Sequence, residues 1–533
     1  MNSSLLLNLS LFLPLLGIPL ILLLPRQSAK VLALVFSLLT LVCGALLYAS
    51  FPGGAAGTHE VEFLYFAEAE WFTAPGFDIS FAIGVDGVSS WLLVLAALIF
   101  PVLVLFSWKR IQGQEKLYYL LLLLLQTGVL GYFVSLDLLL MYVFFEMVLI
   151  PTVFLIGIWG GAEKQAASLK FFVYTLVGSL LMLVSIIYLG VNATGEGITT
   201  DYFVIRQALE ANASGVFPIE VKQWLFLGFF ISFAIKTPLF PLHTWQPAAY
   251  SQSSLAGAVV MGALLSKMGT YGFIRFCIEL FPEVSASFAP WIGGLAVISI
   301  IYGAYLATQQ KEVRQVIAYS SLSHLGFIVL GIFAFSGEAM SGAVLQMTAH
   351  GVSTAALFLL AEMMYERSGS REISAHKGLA AGAPVFAFLF VFTVMASVGL
   401  PGLSGFVGEF LILIGSFGSA ALPSFLTVIG TLGVVLAAVY LLNLTRKMWF
   451  GPAEGQITDL KGAEVALLLP FVILMLWIGL NATPFQLQIN PGTQEIVRVA
   501  SERASLQTYD DESAVPGTPT DVPAPVAAPA VQH

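Results

Sequence analysis

Apolar stretches long enough to cross a bilayer recur along the whole chain, at 5–24, 29–50, 85–107, 117–135, 137–159, 167–190, 223–242, 255–280, 288–308, 314–335, 341–365, 383–413, 423–449 and 463–481. A helix needs roughly 20 apolar residues to span a hydrocarbon core of about 30 Å. Inside lipid the backbone must satisfy its own hydrogen bonds, which a helix does. These segments therefore predict an all-α polytopic membrane protein of about fourteen transmembrane helices. The charge content agrees. Of the 533 residues 58% are hydrophobic and 10% charged, against about 25% charged in soluble domains. The net charge of -9 and the lack of a basic patch leave nothing to neutralise phosphates, so nucleic acid is excluded as a partner and lipid is expected as one. Cys43 and Cys277 lie in apolar runs and cannot alone hold a four-ligand zinc or an iron–sulfur cluster.

Run 5–24 has no Lys or Arg ahead of it, and Pro25-Arg26 follows in place of a small-residue cleavage site. It reads as a retained first helix rather than a signal peptide. With an outside N-terminus, the inside loops and their flanks hold 15 of the 22 basic residues, among them Arg26, Lys109, Arg110, Lys164, Lys311, Arg314, Arg371, Arg446 and Lys461. Arg206 and Lys222 alone fall in outside loops. Alternate loops differ as the positive-inside rule requires, and both termini are placed outside.

Two of the spans are interrupted. The seventh carries Pro238 and Pro241, and the twelfth reads Gly399-Leu-Pro401-Gly-Leu-Ser-Gly-Phe-Val-Gly-Glu409. Proline breaks the helical ladder and frees carbonyls that need new partners. The broken spans lie five apart and so run in opposite directions. This spacing predicts two inverted five-helix repeats, helices 4–8 and 9–13, with discontinuous helices 7 and 12. The expected division is 1–116 (three helices with a long outside loop at 51–84, carrying Glu60, Glu62, Glu68 and Glu70), 117–281, 282–450, 451–482 (the last helix) and 483–533. That final stretch is polar, then Pro/Ala-rich after Asp510-Asp-Glu512, and is expected to be disordered.

An ionisable group at mid-membrane costs at least about 2.5–3.5 kcal/mol, so each one is a functional candidate. Glu146 lies in the fifth span with no base within a turn or two, so its partner must come from another helix. Lys236 stands just before the Pro238 break. A carboxylate such as Glu146, moving nearer or farther, would switch its proton affinity. Lys267 is followed by Thr270 and Tyr271 on the same helix face. Arg275, near the end of that helix, reads as an interfacial anchor. His324 and His350 lie in polar stretches of the tenth and eleventh spans, and histidine titrates in the range a proton relay needs. Each also fits a plain helix–helix hydrogen bond, and no nearby carboxylate or cysteine completes a metal site around them. Glu409 follows the second break, and His243 is expected to line the cavity at the first. Together these groups describe a lateral path for protons through the membrane centre.

The segments Phe145-Glu-Met-Val-Leu-Ile-Pro151, Ile235-Lys-Thr-Pro-Leu-Phe-Pro-Leu-His-Thr-Trp245, Lys267-Met-Gly-Thr-Tyr-Gly-Phe-Ile-Arg275, His350-Gly-Val-Ser-Thr-Ala-Ala-Leu-Phe358 and Gly399–Phe410 resemble chain M (the chain 4 type) of respiratory complex I, NADH:quinone oxidoreductase. The resemblance runs from about residue 80 to 480. It implies an antiporter-like subunit of a proton translocase, driven by quinone reduction in distant subunits. FMN, iron–sulfur clusters, NADH and quinone would belong to partner chains, and no cofactor to this one. It implies a hetero-oligomer with other membrane-arm subunits, Glu146 and Lys236 as the switching pair, Lys267 with His324 as the central relay, and Glu409 as the terminal residue toward the outside. The lack of a targeting peptide points to a bacterial inner membrane. At 246–255 the chain departs from the family pattern: Ala248, Tyr250 and Ser254 replace a charged residue, a histidine and a proline. The family's inside entry route is therefore not carried over to this chain.

Two other readings compete. Multi-subunit sodium/proton antiporters and membrane-bound hydrogenases share these helices, and their partner chains would tell them apart. A non-pumping scaffold would leave the cost of the buried charges unexplained. A free-standing NADH enzyme would need a Gly-x-Gly-x-x-Gly turn between strand and helix, which is not found.

Overall fold

The apolar runs fold as helices in a computed structural model that describes residues 3–505 except 51–62, 64, 75, 112, 196, 212–214 and 453–456. In chain order the elements are α1 Ser3–Leu23, α2 Ala29–Ala49, β1 Tyr65–Ala74, β2 Phe77–Val85, α3 Gly87–Ser107, α4 Glu115–Val134, α5 Leu138–Met147, α6 Leu149–Gly157, α7 Lys164–Asn192, β3 Ile198–Thr199, α8 Tyr202–Ala211, α9 Ile219–Lys236, α10 Gln246–Gln252, α11 Leu255–Val260, α12 Ser266–Gly272, α13 Pro282–Gln309, α14 Val313–Ile332, α15 Gly337–Ser368, α16 Pro384–Val398, α17 Ser404–Phe417, α18 Ser424–Trp449, α19 Gly462–Leu480 and α20 Thr483–Arg503. Among the described residues, 12 helices are long and apolar enough to cross a membrane, with α5–α6 and the 255–278 stretch each counted as one. The two further expected spans are the interrupted ones. α9 stops at Lys236, and α16 and α17 are separate helices on either side of Pro401.

The protein is an integral multi-pass membrane protein. Large apolar side chains such as Trp224, Trp291 and Leu480 are about three-quarters exposed on the outside of the bundle, a surface suited to lipid. Two long stretches, Leu255–Ile278 and Gly337–Ser368, are enclosed by the other helices over their apolar windows. Lys267 and His350 sit on these two.

Two expectations need correction. The loop at 51–84 contains structure: β1 and β2 form an antiparallel hairpin, and β3 adds a short parallel pairing to β2. Glu60 and Glu62 lie outside the described residues, while Glu68 and Glu70 stand exposed on β1. The tail at 483–533 is helical over its first 21 residues, as α20. It is amphipathic. Phe485, Ile489, Ile496, Val497 and Ala500 are buried against the bundle. Arg503 of α20 pairs with Glu210 at 3.0 Å and Glu283 at 3.7 Å. Low average hydropathy hides such a helix from a search for membrane spans. Asp510-Asp-Glu512 and the Pro/Ala-rich end lie outside the described residues.

One loop residue fastens a helix start 73 and 74 positions away in sequence. Asp459 accepts hydrogen bonds from the backbone N–H of Val385 (3.0 Å) and Phe386 (2.9 Å), at the first turn of α16. Burial pushes its carboxyl up, but the amides of Val385, Phe386 and Leu460 and the Arg367 guanidinium outweigh that and hold it below the ordinary carboxylate range. Its contribution is therefore present above the unfolded carboxyl pKa and lost as the pH falls through the lower folded value. Asp459→Ala is expected to cost about 1 kcal/mol, the usual worth of such a cap. Thermal melts of the two proteins should differ at neutral pH and converge in strong acid.

Candidate functional site

The first break is built by sequence and closed by side chains. Pro238 has no N–H to bond to Ala234, so the Leu239 N–H takes the Ala234 carbonyl instead (2.8 Å). The Ile235 carbonyl accepts the indole N–H of Trp245 at 2.9 Å. The Ala234 and Ile235 carbonyls are thereby satisfied. Lys236 stands at the end of α9, 1% exposed, with its ammonium 4.5 Å above the Phe145 ring. Glu146, the next residue after Phe145, is half-buried. Its charge reaches Lys236 electrostatically. Among the described residues no ion pair within 4.0 Å joins the two. The structure thus places the expected pair as neighbours held apart, with an aromatic ring at the lysine.

The helix bearing Lys267 packs directly on this break. A methyl group at Gly269 would stand 2.2 Å from Thr237 Oγ1 and 2.7 Å from the Phe233 carbonyl, so only glycine allows the approach. π-helical turns at Met261–Leu265 and Phe273–Ile278 flank α12. Such bulges are common at functional sites. Lys267 is fully buried, and its three donors are all used. Nζ bonds the Gly262 carbonyl (2.8 Å) and Ser266 Oγ (3.3 Å), and lies 2.6 Å from His350 Nδ1. An ammonium there makes His350 Nδ1 an acceptor, which leaves the ring proton on Nε2, facing Thr354 Oγ1 at 3.2 Å.

From His350 the line of titratable groups continues. Its ring centroid is 5.6 Å from that of His324. His324 Nδ1 is 2.8 Å from Glu409 Oε1, and Gln346 donates to the same oxygen at 3.0 Å. Glu409 is held there by the second break. Gly399 ends α16 at φ +85°, a left-handed conformation that glycine adopts without strain, and Gly402 has φ +91°. A methyl at Gly408 would meet Gln346 Oε1 at 2.6 Å, so α17 and α15 touch backbone to side chain beside the carboxylate. The order along the line is Lys267, His350, His324, Glu409. The expected pairing of Lys267 with His324 is corrected: the direct partner of the Lys267 ammonium is His350, 2.6 Å away, and His324 follows with its ring centroid 5.6 Å from that of His350. Thr270 bonds its own helix at the Lys267 carbonyl, and Tyr271 turns toward Arg275. His243 is buried beside the first break, stacked with Phe240 and edge-on to Tyr302. Among the described residues no group of three or more His, Cys, Asp or Glu side chains is placed to hold a metal ion.

Residues 135–439 match the model of the NADH:quinone oxidoreductase/Mrp antiporter transmembrane family. The chain belongs to this family. Similar proteins include the NADH-quinone oxidoreductase subunit M of Mycobacterium tuberculosis, 39% identical over 90% of this chain and 92% of that one. That of Rhodobacter capsulatus is 36% identical over 89% and 91%. A chain of respiratory complex I from Thermus thermophilus has the same fold, with TM-score 0.82 and 33% identity over 93% of this chain and 99% of that one. A chain of an archaeal membrane-bound sulfane sulfur reductase superposes with TM-score 0.81 at 23% identity, over 95% and 99%, a likeness of fold alone.

Within this family fold one cluster was misread from sequence. Arg275 is no interfacial anchor. It is fully buried, bonded to both Glu279 oxygens (2.8 and 3.0 Å), to Tyr271 Oη (3.3 Å) and to Asp86, while Tyr202 donates to Glu279 at 2.6 Å. Asp86 also caps α3 through the Ser89 N–H. The nearby Glu279 at i+4 is the one signal in the sequence; Asp86, 189 positions away, has none. Arg275→Met would leave two carboxylates buried without a cation, at a cost of about 3–5 kcal/mol. The variant should assemble poorly and inactivate at lower temperature in detergent, read by yield and thermal inactivation of the purified assembly.

Proposed function

We propose that this chain is the proton-translocating membrane-arm subunit of an NADH:quinone oxidoreductase. The observation that carries the reading is the buried row Lys267–His350–His324–Glu409, running between two broken helices. Desolvation of so many titratable groups is expensive, and a row of them with alternating donors and acceptors gives protons successive places to stop. In this reading the chain crosses the membrane fourteen times in two inverted repeats, with both termini outside a bacterial inner membrane. Glu146, half-exposed on the surface of the chain, meets a neighbouring subunit there. When that neighbour draws Glu146 away, Lys236 loses the charge that favours its protonated form and releases a proton toward Lys267. The redox chemistry, with flavin, iron–sulfur clusters, NADH and quinone, lies in partner chains. It must drive each charge against about 2.3 kcal/mol per 100 mV.

Purification of the native assembly tests this. Mass spectrometry should find flavin and iron–sulfur subunits with the chain, and the reconstituted assembly should build a pH gradient on oxidising NADH. The family also takes in Mrp antiporters. Recovery with small membrane chains alone, and sodium/proton exchange without NADH, would replace the reading with that one.

A further inference from the structure

Lys236 and Lys267 are both buried ammonium groups, and they are held in different ways. Lys267 commits its three donors to a carbonyl, a hydroxyl and a histidine nitrogen. Lys236 makes no hydrogen bond and no ion pair among the described residues. What it faces is the Phe145 ring, with Nζ 4.5 Å from the centroid. The face of an aromatic ring carries the negative part of its quadrupole, and its pull on a cation grows where water is excluded. A buried charge needs a partner, and here the ring is the one in contact.

The ring is itself fixed. Phe145 is buried, packed against Tyr132 at 5.7 Å between centroids and edge-on to Phe233 at 6.2 Å. Tyr132 is tied in turn, its Oη donating to the Met268 carbonyl at 2.7 Å. The cage is therefore made by α4 and α9 and fastened to α12.

Phe145 and Glu146 are consecutive in α5, so their side chains point about 100° apart around one axis. A turn of α5 that carries the carboxylate to Lys236 carries the ring off it, and the reverse. α5 is 10 residues long and ends at Met147, one position past the carboxylate, and α6 starts at Leu149. Pro151 has no N–H for the Met147 carbonyl, and the two helices part there. The half-helix that bears both partners is thereby separate from the rest of its span.

We propose that Phe145 is a positioning residue that holds the Lys236 ammonium whenever Glu146 is drawn away, so that ring and carboxylate take turns as its partner. A ring face favours the charged lysine but has no site that takes its proton. It keeps the ammonium in place without becoming a stop on the path. Its hold is weaker than a carboxylate's, so the lysine still discharges. Without the ring, Lys236 would be left with Glu146 or with no partner, and would reload poorly after each discharge.

This inference rests on the proton-translocation reading, and one series of variants separates the two. In the assembled, reconstituted complex, Phe145 is replaced by phenylalanine carrying one, two and three ring fluorines. Fluorine barely changes the size of the ring and draws electron density from its face, so a residue that only fills space is unaffected. The initial rate of NADH-driven proton translocation should fall at each step, about thirtyfold in all, the rate equivalent of a desolvated contact of about 2 kcal/mol. A flat series, beside loss of pumping in Lys236→Ala, would overturn the role of the ring and leave the function standing. Parental pumping in Lys236→Ala would overturn it as well, since there would be no charge to hold. A parent that builds no pH gradient would remove the function itself. Should the trifluoro chain fail to assemble, the first two steps decide by the same rule.

Discussion

Lys236→Ala should abolish NADH-driven proton translocation in the assembled complex while leaving its subunit composition unchanged. The ammonium lies 4.5 Å over the Phe145 ring and within the field of Glu146, with no direct ion pair to it among the described residues. Separation is what makes the arrangement responsive. A contact pair would be locked by the strong attraction of opposite charges in a dry interior, whereas charges out of contact can be moved nearer or farther at lower cost, and their coupling changes with the separation. Alanine removes the charge and leaves the break intact, because the Ala234 and Ile235 carbonyls are satisfied by Leu239 and Trp245, not by the lysine. Assembly is therefore expected to survive. The check is the pH gradient formed by reconstituted vesicles, read beside electron transfer to quinone. Normal pumping would remove Lys236 from the path.

Much of this was legible before any coordinates. Pro238, Pro241 and Pro401 write their breaks into the sequence, because a residue without an N–H cannot continue the ladder. Lys236, Lys267 and Glu409 stand out against apolar runs, since a charge in lipid is rare without a task. What could not be read was adjacency. Whether His324 or His350 meets Lys267 depends on where each ring reaches in the packed bundle, and both histidines sit in equally polar stretches. Arg275 looked peripheral because its partner Asp86 comes from the far end of the chain. α20 was missed because an amphipathic helix lying on a bundle averages its hydropathy to nothing.

Lys267→Arg should stop translocation as completely as Lys267→Ala, although it preserves the positive charge. Lysine is suited to a relay because its proton can leave when burial and neighbours demand it, while a guanidinium stays protonated in proteins. The pocket is also built for a compact ammonium. Its three protons meet the Gly262 carbonyl, Ser266 Oγ and His350 Nδ1, and a planar fork cannot address three acceptors in that arrangement. A charge fixed at this point repels any proton approaching His350, so the row is blocked from both sides. An electrostatic anchor would behave differently: if Lys267 only balanced charge, arginine would retain a large part of the activity and alanine would lose it. Proton translocation by Lys267→Arg, Lys267→Ala and the parent, measured in vesicles with equal amounts of assembled complex, separates the two roles. Pumping by the arginine variant near the parental rate would assign Lys267 to structure and leave the row without its central donor.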